Sequence, residues 1–220
     1  MSNCEKFLFT CAICIVASTA FAQNIVNFDF GAVPIGCSNA YAYEEPTAEC
    51  IYVNGDPIQN FNASPTFGWI LGGSIAWHSS PPYPSPLLNG SAGLTGPNSL
   101  FNPPAFDGMP FVQAVFLQDR GSFVWQQIGG FNPGSYTLSF YLGSRYRDPP
   151  YDGNQTVVAL VDGNVIGTWT LSSFTPFTLR SAGFTVSTGG DHTLSFMGTA
   201  TGDHTAFISY VTITPSRQRP

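Results

Sequence analysis

The sequence predicts an all-β protein with almost no helix, and three observations carry that reading. Aromatic residues reach 15% while charged residues make up only 9%. Gly and Pro contribute 23 and 18 of the 220 residues, and they punctuate runs of aromatic and β-branched side chains. No window sustains a 3.6-residue apolar period with caps, whereas several alternate at the strand period. Low charge with many aromatics excludes a disordered chain and a charged coiled coil. The length suits a single domain.

Taken in order, residues 1–22 have the layout of a signal peptide. Lys6 lies ahead of the apolar run Phe7–Val16, and Ala20-Phe21-Ala22 offers a small-x-small cleavage site before Gln23. The run is too short for a stable membrane anchor, and no later segment reaches 18 apolar residues, so no membrane span is expected. Export also sets the cysteine reading. Cys11 and Cys14 fall in the removed segment, leaving Cys37 and Cys50, which suggest one disulfide closing a polar loop. The expected locale is secreted: extracellular, cell surface or periplasm.

The single domain is expected over residues 23–214, with an irregular first part. Ile25–Phe30 and Phe67–Trp77 read as strands, while Ser79–Phe106 is a long loop of Pro, Gly, Ser and Asn. From Phe111 onward about eight strands follow at spacings that suggest a sandwich or barrel. Phe111–Gln118 and Gln155–Val161 are apolar on both faces and belong mid-sheet. Tyr136, Leu138, Phe140 and Leu142 share a face, as do Leu194 and Phe196. Phe207, Ser209, Val211 and Ile213 are expected to share another. Asp162-Gly163-Asn164 marks a hairpin, with further turns at Asp119–Gly121, Asn132–Gly134 and Gly189–Asp191. Residues 215–220 read as a frayed tail.

Several phrases together resemble a known group. Pro110–Gln118, Gly134–Phe140, Val161–Thr168, His192–Phe196 and Thr205–Ile213 occur in this order after Ala22. The chain resembles secreted bacterial galactose-binding-like domains, which are relatives of carbohydrate-binding modules. That resemblance implies an antiparallel jelly-roll β-sandwich and a glycan ligand. In several such relatives an acidic residue in the last strand helps hold a structural calcium. Here Ser209 and Tyr210 stand where the group has Asp and Asn, and Asp29 remains near the first strand. No cofactor is therefore expected.

Net charge is −6, and Lys6 is the only lysine. No basic stripe exists to displace counterions, which excludes nucleic acid as a partner. A neutral glycan needs aromatic faces and a few placed polar groups. Trp77, His78 and Tyr83 form one candidate cluster; Arg145, Tyr146, Arg147 and Tyr151 form a second, at a strand end. Asp203 and His204 are a further strand-end candidate. Trp69, Trp125 and Trp169 lie in strand-like alternation and read as core. The echo Gly190-Asp-His-Thr and Gly202-Asp-His-Thr suits turn chemistry better than a metal, because adjacent extended residues face opposite ways. No nucleophile elbow, zinc motif or phosphate loop occurs, so no catalytic residue is assigned. The expectation is a secreted, non-catalytic carbohydrate-binding β-sandwich acting through its strand-end loops. The alternative is a matrix or adhesive protein that self-associates through sheet edges, and a polysaccharide-cleaving enzyme stands third.

Overall fold

The computed structural model describes residues 25, 28–31, 41–43, 52–53, 56–57, 69–72, 91–96, 103–145 and 154–216. Among them there is no helix. Thirteen strands form: β1 (Tyr41–Tyr43), β2 (Tyr52–Val53), β3 (Asp56–Pro57), β4 (Ile70–Gly72), β5 (Ser91–Thr95), β6 (Ala114–Gln118), β7 (Phe123–Phe131), β8 (Gly134–Ser144), β9 (Thr156–Val161), β10 (Asn164–Thr170), β11 (Thr178–Val186), β12 (Gly190–Gly198) and β13 (Thr205–Pro215). The two large sheets run β1-β5-β6-β13-β8-β11 and β10-β9-β12-β7-β4, and β2 pairs with β3. Every pairing is antiparallel.

The eight strands β6–β13 are those expected after Phe111. Counted one to eight, they lie in the orders 1-8-3-6 and 5-4-7-2, which is jelly-roll connectivity. Turn chemistry directs this path. Asp162 and Gly163 both adopt positive φ, at 49° and 76°, and Val161 pairs with Asn164 across them. That is the two-residue hairpin geometry whose twist matches the flanking strands.

The core lies between the sheets. Leu138, Phe140 and Leu142 of β8 meet Leu194 and Phe196 of β12 there, with Phe140 and Phe196 at 4.9 Å between ring centres. Trp69 is buried, and Trp169 packs at the margin against Phe140. Gly167 leaves room for that indole, because a Cβ there would lie 2.3 Å from it.

A second apolar cluster occupies the other face of the six-stranded sheet. Val115 and Leu117 point into the main core, while Ala114 and Phe116 point outward. Residues 103–111 run over that outer face. Phe106, Phe111 and Phe177 meet edge to face at 5.0–5.6 Å above Phe116 and Phe207. This explains why Phe111–Gln118 is apolar on both faces.

Three expectations need correction. Residues 28–31 form a turn, not a strand. The tract Ser79–Phe106 contains β5, whose Ala92 and Leu94 are fully buried; two alternating apolar residues among Gly and Ser are too weak a pattern to stand out. In β13 the shared face also differs. A bulge between Ser209 and Thr212, with Tyr210 at φ 53°, shifts the alternation by one residue. The core therefore takes Ala206, Ile208, Val211 and Ile213, while Phe207 faces outward.

Candidate functional site

The loop preceding β7, the end of β8, the start of β9 and the loop between β12 and β13 converge at one end of the sandwich. Gln155, fully buried, holds them together. Its Oε1 accepts from the backbone N–H groups of Thr156, Thr199 and Ala200 at 2.8–3.1 Å. Its Nε2 donates to the carbonyls of His204 and Asp119 at 3.1 and 3.3 Å. Asp119, at φ 60°, accepts through Oδ1 from Gly202 N at 3.0 Å. Gly198 is required by closeness, since a Cβ there would be 2.4 Å from Ser122 Oγ and 2.9 Å from Asp119 O.

Arg145 follows β8 at this end, as expected, but its side chain is buried, at 6% exposure against 33% for Asp203. Its Nη1 donates to Asp203 Oδ1 at 3.0 Å, and Gln118 Nε2 donates to the same oxygen. The arginine thus fixes a carboxylate at the surface rather than offering its own guanidinium. His204 is half-buried beside them, and its carbonyl accepts from Asp119 N and Gln155.

Arg145, Asp203 and His204 are therefore brought together. Trp77, His78, Tyr83, Tyr146, Arg147 and Tyr151 lie outside the described residues, as do Cys37, Cys50 and residues 1–22.

The repeated Asp-His echo separates in space, since its members lie at opposite ends of β12. His192 pairs with Asp162, not with Asp191: Nδ1 lies 2.5 Å from Asp162 Oδ2, and Nε2 lies 3.0 Å from Thr188 O. The Asp162 hydrogen bond raises the His192 pKa above its ordinary value; partial burial opposes it, and the Thr188 carbonyl assists. For Asp162 burial pushes upward, yet the hydrogen bonds from His192 and Thr193 N hold its carboxyl below the ordinary value. Among the described residues no three His, Cys, Asp or Glu side chains group as metal ligands.

Trp125 is the misplaced residue. Val124 and Ile128 of β7 point into the core, so Phe123 and Trp125 occupy the outer face of the five-stranded sheet, where Trp125 is half-buried. Cross-strand register extends them into two rows: Trp125–Ser195–Leu160–Val165 and Phe123–Met197–Val158–Thr168. No residue in either row carries a charge. The Phe123 row adjoins the loop end that holds Asp203. Both phases of β7 contain large or polar residues, and Gln126 is the one that goes inside, at 3% exposure. Pattern alone could not rank Trp125 against Gln126; the Phe123-x-Trp125-x-Gln127 spacing was the only signal.

Comparison with protein-family models and with curated protein sequences gives no match. Among solved structures, a Stig cyclase from Fischerella sp. TAU, in complex with an indole compound, is similar. Its TM-score is 0.56 at 16% identity, covering 90% of this chain and 100% of that one. An apo-form cyclase from Fischerella sp. gives 0.56 and 16%, covering 92% and 100%. This is a likeness of fold. The carbohydrate-binding module of Cellvibrio mixtus lichenase 5A in complex with cellotriose also aligns, at TM-score 0.38 and 16% identity over 50% of this chain and 82% of that one. That value is too low to bear on fold or function.

Proposed function

We propose that the chain is a non-catalytic carbohydrate-binding β-sandwich that recognises neutral glycan. The observation that carries this reading is the pair of uncharged rows on the five-stranded sheet, with Trp125 and Phe123 among hydroxyl-bearing neighbours. Aromatic faces stack on the apolar faces of sugar rings, and Ser195 and Thr168 hydroxyls suit ring substituents. Both donors to Asp203 fall on Oδ1, leaving Oδ2 to accept from a sugar hydroxyl at the rim. Export is part of the proposal and rests on residues 1–22.

The test is a pull-down of the purified chain with insoluble polysaccharides and a glycan panel, assayed together for released sugar. Binding without release is expected, little affected by salt because the face is uncharged. No binding to any neutral glycan, or release of sugar, overturns the reading.

A second reading, self-association, draws on the edge strands. β10 and β11 close one side of the sandwich, and Val165 and Leu179 on them are 62% and 57% exposed. Light scattering that shows concentration-dependent assembly unaffected by sugars favours this second reading.

A further inference from the structure

Three consecutive carbonyls near the N-terminus, those of Phe28, Asp29 and Phe30, each accept a hydrogen bond from a different donor. Val211 N donates to Phe28 O at 2.8 Å, Ser209 Oγ to Asp29 O at 3.3 Å, and Gln113 Nε2 to Phe30 O at 2.8 Å. The single Ser209 hydroxyl hydrogen is shared with Gln113 O, the nearer acceptor at 2.7 Å. The buried Phe30 ring, 5.1 Å from Trp69, anchors the segment from below. The Asp29 carboxylate turns back on its own turn, where Oδ1 accepts from Gly31 N at 3.1 Å.

A carbonyl oxygen taken out of water costs free energy unless something positive meets it. A cation can serve, and so can donated hydrogens. In several relatives of the group the chain resembles, an acidic residue in the last strand helps hold calcium, and Ser209 stands at that place here. The residues present do not fit that ion. Calcium takes about six to eight oxygens at roughly 2.3–2.6 Å, whereas a hydroxyl and an amide direct hydrogens at these very carbonyls. Ser209 is fully buried and Gln113 nearly so, so neither is a casual surface contact. Ser209 lies just ahead of the bulge in β13 and continues the outward face that Phe207 begins.

We infer that the N-terminal segment is locked to the last strand by neutral donors in place of a cation, and that Ser209 alone decides between the two. The readout is stability, so this inference stands or falls separately from the glycan reading. Thermal midpoints of the purified chain are measured in chelator and in millimolar calcium. The native protein melts identically in both. Ser209→Ala lowers the midpoint by roughly 2–4 °C in both media, the loss of one buried hydrogen bond in a chain of this size. Ser209→Asp buries a carboxylate against the carbonyls of Asp29 and Gln113; it melts low, or fails to fold, in chelator and recovers in calcium.

A native midpoint that drops in chelator and returns with calcium overturns the inference. A Ser209→Asp protein that folds but ignores calcium overturns the claim that this one residue decides. If Ser209→Asp folds in neither medium, that claim is overturned too. Gln113→Leu then tests the neutral lock from its other side, with equal loss in both media expected and a calcium-dependent loss overturning it.

Discussion

Arg145 and Asp203 are joined at 3.0 Å with the cation inside and the anion at the surface. The asymmetry dictates how the pair responds to mutation. Removing Asp203 takes the carboxylate from a guanidinium that water cannot reach. Removing Arg145 leaves a carboxylate that water partly hydrates. Asp203→Ala should therefore destabilise by about 2–3 kcal/mol, below the range for a fully buried pair because Asp203 is a third exposed. Arg145→Met should cost less, and the double variant less than the sum of the two. Denaturant unfolding of the four proteins measures the coupling; additive losses would remove the pair from the structural account.

Trp125 and Trp69 separate ligand contact from packing. Trp69→Ala empties a fully enclosed site and should cost about 3–5 kcal/mol. Trp125→Ala lies on the outer face, so its melting midpoint should shift little while glycan retention in the pull-down disappears. Loss of fold in Trp125→Ala would return the residue to the core.

The His192–Asp162 pair gives a pH signature. The folded His192 pKa is raised above 6.5, so its contribution is complete below that value and fades as pH rises through the folded pKa. Asp162 is depressed below 3.8, so its contribution is present above that value and is lost as pH falls through the folded pKa. Stability from this pair is thus greatest between the two unfolded values. Replacing His192 by Gln should flatten the decline on the alkaline side, as read from thermal midpoints across the pH range. An unchanged slope would mean the pair carries no linkage.

Gly198→Ala should destabilise by about 1–3 kcal/mol through overpacking. Ser122→Ala would relieve only part of that loss, because the Asp119 carbonyl belongs to the backbone and cannot swing away. Chemical denaturation of Gly198→Ala with and without Ser122→Ala checks the split, and full rescue would contradict it.

Much of the fold was legible because alternation and turn chemistry act locally. Tyr136–Leu142 showed its buried face, and Asp162-Gly163 its hairpin, without reference to the rest of the chain. What escaped depended on distant partners. The bulge at Tyr210 lies where the N-terminal turn docks on β13, a contact between distant parts of the chain, and periodicity misassigned Phe207 and Val211. At the candidate site, Arg145 was placed at the correct strand end, but no local signal says that a carboxylate 58 positions on would bury it. Trp125 failed for a related reason: Gln126 beside it is no better a core residue by composition, and only the opposing sheet decides which goes in.

The roof of residues 103–111 has a consequence for how the chain matures. Its phenylalanines precede Phe207 by about a hundred residues, yet Phe207 forms part of the platform they rest on. Until β13 takes its place between β6 and β8, the roof lacks half its floor, and a chain cut before residue 205 leaves Phe116 without Phe207 beside it. β13 thus closes two apolar clusters at once, with Phe207 on one face and Ala206, Ile208, Val211 and Ile213 on the other.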